Sequence, residues 1–244
     1  MIHHYPPIGT LRTCFTEKFG APRQPLLVPE ARGILKLNPD PEFALAFDQL
    51  ATFSHIWILF VFHQHLHKPW HPRIRPPRMD GPRKVGVFAS RSPHRPNPIG
   101  MSVVKLEKIN LEAEGGIEIH FSGVDILDGT PVLDIKPYLP YADSVPEATS
   151  GWAAEEITKY PVHFSAGSLS AIERVDTELF PNFRGLVEQM LSLDPRPTSQ
   201  RKSMPILDPK SEGMIFGFRV SNFDVKWRIQ GGEIFVVELL PVPL

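Results

Sequence analysis

The sequence predicts a mainly β protein: a β-rich N-terminal domain followed by a small α+β unit. Three observations carry this. Prolines number 27 in 244 residues, against an average usage of about 5%, and proline breaks a helix interior by removing an N–H and fixing φ. Short apolar stretches recur between Pro, Gly and Asp punctuation, as strands and ordered loops do. Helical spacing of apolar residues is confined to Glu42–Leu50 and to two stretches between Leu169 and Leu193.

Composition narrows the function. Hydrophobic residues make up 42% of the chain, enough for a real core. Cys14 is the only cysteine, so an internal disulfide and a cysteine metal cluster are both excluded, which suits a reducing cytoplasm. Residues 1–7 have no basic stretch followed by an apolar run, so no signal peptide is predicted. The longest apolar run, Ile56 to Phe62, is too short to span a bilayer, so no membrane partner is expected. A net charge of −1 does not mark the whole chain as a polyanion binder. Its distribution does mark one region. Lys68, Arg73, Arg75, Arg78, Arg83, Lys84, Arg91 and Arg95 face a single acid, Asp80. Such a patch is either a solvated loop or a phosphate-facing surface.

Taken in order, residues 8–13 and 26–28 read as short strands around a polar, proline-rich loop holding Pro22, Arg23 and Gln24. Glu42–Leu50 reads as a short helix. Phe53–His63 reads as a strand buried on both faces, running into His63-Gln64-His65-Leu66-His67. On a strand, those histidines share a face, a spacing that can bind a transition metal; no carboxylate among them orients the rings. Trp70–Pro82 is a loop. Met101–Leu111 and Gly116–Phe121 read as paired strands joined at 112–115. Asp128-Gly129 signals a turn, and Asp134, Lys136 and Tyr138 share a face if the next stretch is a strand. Ser170 to Glu173 fits a capping box opening a helix. A second helix runs from about Pro181 to Leu193. Met214–Val220, Phe223–Ile229 and Glu233–Leu239 form an antiparallel meander. The chain therefore divides into a domain over 1–160 and a smaller one over 167–244.

The stretch from Gly86 to Gly100 organises the rest. It opens as an apolar strand and becomes a loop stiffened by Pro93, Pro96 and Pro98, presenting Arg91, His94, Arg95 and Asn97. A loop so restrained holds polar side chains still and lowers the entropy cost of gripping a ligand. Phosphate-binding glycine loops, a dinucleotide fingerprint and a Gly-x-Ser-x-Gly elbow are all absent. The residues alone reach a small polar pocket beside a basic patch. If the strands close into a barrel, the polar loops can meet at one rim.

The run Gly86-Val-Phe-Ala-Ser-Arg91-Ser-Pro-His-Arg95-Pro-Asn97 resembles the signature of the TsaA/YaeB-like family, whose characterised members are TrmO-type tRNA methyltransferases. Further motifs are similar in the same order: Glu17 to Pro25, Phe53 to Gln64, Arg95 to Ser102, Leu127 to Pro131 with Asp134 to Pro140, Asp194 to Pro197, and Phe223 to Arg228. The family's Asp-Pro-Arg-Pro is often followed by a small residue and an aromatic; Thr198-Ser199 follow here.

The resemblance implies a closed antiparallel or mixed β-barrel that binds S-adenosylmethionine (SAM), a small α+β C-terminal domain for tRNA recognition, and a cytoplasmic homodimer. It implies methylation of N6 of threonylcarbamoyladenosine beside the anticodon. By carry-over, Pro22, Arg23, Gln24, His63, Gln64, Arg91, Met101, Leu127, Asp128, Gly129, Thr130 and Pro131 form the cofactor pocket. His63 and Asp128 are the candidates for a general base. Arg95 or Lys136 would meet the substrate carboxylate. Arg73, Arg75, Arg78 and Arg83 would hold phosphates, with Asn97, Tyr138 and Arg196 among the further tRNA contacts. Two rival readings are a non-catalytic tRNA-binding module and a metalloenzyme built on His63, His65 and His67.

Overall fold

The computed structural model describes residues 3–77, 83–175 and 180–242. In chain order the elements are β1 (Gly9–Thr13), β2 (Arg32–Leu37), α1 (Phe43–Ala46), β3 (His55–Val61), β4 (Arg73–Ile74), β5 (Val85–Gly86), β6 (Ile99–Asn110), β7 (Glu118–Ser122), β8 (Pro131–Pro137), α2 (Pro140–Asp143), β9 (Val162–Phe164), α3 (Ala166–Ile172), α4 (Phe183–Ser192), α5 (Thr198–Ser203), β10 (Ile215–Val220), β11 (Phe223–Gln230) and β12 (Glu233–Pro241). The order β1-β2-β7-β6-β3-β8 closes into a barrel, β10-β11-β12-β9 forms a second sheet, and β4 pairs with β5. No helix among the described residues is long and apolar enough to cross a membrane. The chain makes two compact units, interleaved in sequence. One is Met1–Arg12, Ile34–His120 and Gly129–Glu156; the other is Thr13–Gly33, Phe121–Asp128 and Ile157–Leu244.

Alternation builds the first unit. On β3, Ile56, Ile58 and Phe60 are buried while His55, Trp57, Leu59 and Val61 are partly open. This corrects the expectation of a strand buried on both faces: Trp57, Leu59 and Val61 on the outward face are apolar too, which masks the alternation. Leu11, Leu35, Leu37, Val104, Ile119 and Val132 are buried as well. Across β3 and β6, Phe60 stands opposite Gly100. Between β3 and β8 the register shifts after Leu59, from Leu59 opposite Asp134 to Phe60 opposite Val132. A bulge of this kind re-aims the chain beyond it, and the chain beyond it is Pro131 and Thr130.

In the second unit β10, β11 and β12 form the expected meander. β9, three residues long and without a strand signal in sequence, adds to β12 in parallel. Phe183, Leu186, Val187, Met190 and Leu191 form the buried stripe of α4, at the i, i+3, i+4 spacing of an amphipathic helix.

Several local readings change. Residues 26–28 form a turn, because Leu26 adopts φ +63 and its N–H donates to Gly123 O at 2.8 Å. The strand lies later, at β2. The Glu42–Leu50 helix is cut to α1 by Gln49 at φ +64. The capping box at Ser170 is not used: α3 starts earlier, capped by Ser165, whose Oγ accepts from Ser168 N at 3.1 Å. Asn182, rather than Pro181, sets the start of α4 by accepting from Gly185 N at 2.9 Å. Residues 176–179, between the two helical stretches expected from Leu169 to Leu193, lie outside the described residues.

Candidate active site

β3 ends at Val61, and the next residues turn. Phe62 N donates to Pro98 O, His65 N donates back to Phe62 O, each at 2.7 Å, and His63–His65 form one turn of 3-10 helix. The three histidines at 63, 65 and 67 therefore do not lie on a strand face. Their proposed convergence fails for that reason, and no group of three metal-ligating side chains is poised to hold an ion among the described residues.

His63 instead meets Thr130, with Nδ1 at 3.3 Å from Oγ1. Thr130 is 2% exposed, and its backbone is held by β1: Leu11 N donates to Thr130 O and Gly129 N to Leu11 O, both at 2.9 Å. Gly129, at φ +71, supplies the left-handed step that makes this close return possible. For the His63 ring to accept a proton at Nε2, Nδ1 must carry the proton and donate to Thr130. Gln64 and Arg91, in the same unit, are exposed, and Pro131 opens β8. Met101, 51% exposed, sits on β6 opposite Leu59.

The signature stretch leaves its strand after Gly86, since Val87–Ala89 form a turn of 3-10 helix instead of the expected strand, and hydrogen bonds brace the loop that follows. Ser90 Oγ donates to Val87 O at 2.8 Å, and Arg95 Nη1 donates to Ser90 O and Ser92 O at 3.1 and 3.3 Å. Trp152 Nε1 donates to Ala89 O at 2.8 Å. Arg95 thus acts as an internal strut. Lys136, the other cation expected to meet a substrate carboxylate, pairs with Asp134 at 2.7 Å on an exposed edge. Tyr138 packs its ring against Trp57, 5.8 Å between centroids. Asn97 is exposed. The fold also gathers His65, His71 and His94, with ring centroids 4.7 and 5.1 Å apart across His94. Sequence spacing gave no sign of this group, since a loop brings His94 back to the other two.

Of the basic patch, Arg73, Arg75 and Arg83 are exposed. Arg73 Nη2 ties β4 to β5 through Lys84 O at 2.9 Å. Arg78 lies outside the described residues.

In the second unit Pro22 is buried and Gln24 half-buried. Arg23 is held below the ordinary arginine value, first by partial desolvation and then by the like charge of Arg201, against the opposing pull of Asp194; it stays cationic at neutral pH. Asp128 already serves the backbone: its Oδ1 accepts from Thr13 N at 2.8 Å, while Leu127 beside it is half-buried. Arg196, expected at the tRNA, is 3% exposed. Its guanidinium is taken by Asp194 and by Met204 O. Burial pushes the Cys14 thiol well above its usual value, so it is no nucleophile.

Of the residues expected at the cofactor, the first unit joins His63 to Thr130 and leaves Gln64 and Arg91 exposed.

Comparison with known proteins agrees with this architecture. The chain is 39% identical over 234 residues to the tRNA (adenine(37)-N6)-methyltransferase of Escherichia coli, covering 95% of this chain and 96% of that one. It is 44% identical over 227 residues to a Pseudomonas aeruginosa protein named "Putative S-adenosylmethionine-dependent methyltransferase RcsF", covering 93% of each. The crystal structure of TrmO from Pseudomonas aeruginosa superposes with a TM-score of 0.77 at 40% identity, covering 98% of this chain and 99% of that chain. The tRNA-methyltransferase O N-terminal domain matches residues 10–144 and the TrmO C-terminal domain residues 157–242. The chain belongs to the tRNA-methyltransferase O family.

Proposed function

We infer that this chain is a SAM-dependent methyltransferase acting on N6 of an adenosine in tRNA. The observation that carries this is the end-to-end likeness, through both family domains, to a tRNA (adenine(37)-N6)-methyltransferase. The finer reading is that the adenosine carries a threonylcarbamoyl group and stands beside the anticodon, and that the enzyme is a cytoplasmic homodimer. Support for it is the ordered set of motifs from Glu17 to Arg228. In this reading residues 1–160 serve the cofactor and 167–244 serve tRNA recognition.

Bound SAM supplies an electrophilic methyl on its sulfonium. The protein's part is alignment of donor and acceptor. His63 and Thr130, with Gln64, Arg91, Gly129 and Pro131, are the first unit's contribution to holding the cofactor. The acceptor N6 belongs to a ureido group whose lone pair is delocalised, so removal of its proton assists transfer. His63 suits that task in the tautomer whose Nδ1 donates to Thr130 Oγ1, which leaves Nε2 free to accept. Asp128 is the other candidate, with one carboxylate oxygen already accepting from Thr13.

The test is methyl transfer from labelled SAM to tRNA with and without the threonylcarbamoyl group, alongside calorimetric titration with SAM. Transfer only to the modified tRNA supports the full reading. Transfer to both supports only the coarser one. SAM binding without transfer, or no binding, returns the chain to a tRNA-binding module.

A further inference from the structure

The solvent face of the C-terminal sheet carries a transverse row of side chains that methyl transfer leaves unused. Register defines it. Ile215 on β10 stands opposite Arg228 on β11, Arg228 opposite Phe235 on β12, and Phe235 opposite His163 on β9. Facing residues in a sheet project to the same side, and the alternate residues Phe216, Trp227 and Ile234 are buried on the other. The row itself is open: Ile215 is 66% exposed, Arg228 and His163 are exposed, and Phe235 is half-buried.

Two of the four side chains are already ordered. Phe235 and His163 lie ring on ring, with centroids 4.6 Å apart and planes 23° apart. Glu233 fixes the imidazole through a 2.7 Å contact between Oε2 and Nε2. Beside the row the floor is kept low by Gly217, where a Cβ would stand 3.0 Å from both Lys226 Nζ and Asp224 Oδ1. Lys226 is paired with Asp224 at 2.8 Å. Arg219 and Arg228, on the same face, have no carboxylate within ion-pair distance among the described residues. The face therefore combines stacked rings with two guanidinium groups that form no ion pair among the described residues.

We propose that this row is a stacking platform for an unpaired stretch of RNA in the tRNA substrate, with a base continuing the Phe235–His163 stack on its outer face and a neighbouring phosphate at Arg228. Every base has a π-face, so aromatic rings on an open sheet accept unpaired nucleotides whatever their sequence. A guanidinium pairs with a phosphate through two parallel N–H bonds. An apolar protein partner suits the face less well, because Asp224, Lys226, Glu233 and Glu238 lie around the row. The inference rests on the proposed function for the source of the RNA and for the recognition role of residues 167–244; the geometry of the row stands by itself.

The experiment titrates the full-length protein into a fluorescently labelled anticodon stem-loop RNA and into a fully paired RNA duplex of equal length. Phe235→Leu keeps apolar volume and removes the ring; Arg228→Gln removes the charge. SAM affinity and thermal melting report on folding. Expected is a loss of stem-loop affinity of about tenfold for Phe235→Leu, with SAM affinity and duplex affinity unchanged. Arg228→Gln lowers the salt slope by about one. Unchanged stem-loop affinity in folded variants overturns the proposal, as does an equal loss on stem-loop and duplex. If Phe235→Leu fails to fold, His163→Ala at the exposed edge strand is read by the same criteria. A wild-type protein that binds the stem-loop but transfers no methyl overturns the enzymatic reading, and the same titrations still decide the platform.

Discussion

Asp194 and Arg196, two residues apart, are locked side chain to side chain: Nε and Nη2 of Arg196 each donate at 2.7 Å, to Oδ1 and Oδ2. Arg196 Nη1 donates to Met204 O at 2.9 Å. The guanidinium lies 5.0 Å from the Phe216 ring centroid. Asp194 adopts φ +50, a left-handed conformation that Asp tolerates better than most residues. The short helix α5, between Arg196 and Met204, is thereby pinned at both ends to one buried charge.

Removing that charge strands a carboxylate in the core. Arg196→Ala is expected to destabilise the protein by about 3–5 kcal/mol, measured by urea denaturation. Arg196→Lys restores the charge without the planar fork and recovers only part of the loss. A change below about 1 kcal/mol for Arg196→Ala would mean that the pair does not hold the unit together.

Gly100, which closes the signature stretch, is required by Phe60. The two are register partners on β6 and β3, and a Cβ at Gly100 would collide with the Phe60 ring. Gly100→Ala should cost about 1–3 kcal/mol by overpacking. Phe60→Leu opens space at the same point, so the double variant should be less unstable than the two single losses summed. Strict additivity in thermal or urea unfolding would show that the ring does not dictate the glycine.

The elements that could be read from sequence are those whose own residues decide them. Alternating or continuous apolar stretches located β1, β3, β6, β7 and the three-strand meander. β2 was missed because it opens on Arg32-Gly33, while the more apolar Leu26-Leu27-Val28 is turned by contact with Gly123. β9 has three residues and exists only because β12 offers an edge. The site divides in the same way. His63, Gln64, Arg91 and the Leu127–Pro131 turn were named from motifs. The contact of His63 with Thr130, 67 residues apart in sequence, comes from barrel closure and a bulge, which no local pattern announces. Arg196 looked like a surface cation because its partner sits at i−2, a spacing that reads as nothing outside a tight turn.

Charge at the exposed loops gives a third prediction. Arg75 is exposed beyond β4, in the basic region expected from sequence to face tRNA phosphates. Arg75→Glu should weaken tRNA binding and lower the slope of log affinity against log salt by about one or more, leaving SAM affinity unchanged. Arg91→Glu should do the reverse, abolishing SAM binding in calorimetry. An unchanged salt slope for the first removes Arg75 from the interface, and unchanged SAM affinity for the second removes Arg91 from the cofactor site.

Cys14 gives a prediction in pH. The residue is 2% exposed, and its carbonyl accepts from Ser221 N at 2.8 Å. Desolvation raises its thiol pKa well above the ordinary 9.0, with the charge of Asp128 adding to the rise and a backbone hydrogen bond opposing it. In the unfolded chain the thiol ionises near 9.0; in the folded protein it keeps its proton. Above that pH the native state therefore binds more protons than the unfolded state, and stability falls as pH rises. Below it both states carry the proton, and the thiol contributes no pH dependence. The expected slope from this group approaches about 1.4 kcal/mol per pH unit once the unfolded thiol is fully ionised. Melting followed from pH 8 to 10.5 should show a steeper alkaline decline for the wild type than for Cys14→Ala. Iodoacetamide should leave the native thiol unmodified at pH 8 and modify it in urea. Parallel melting curves for the two proteins, or rapid native alkylation, would show that Cys14 is not held neutral in the core.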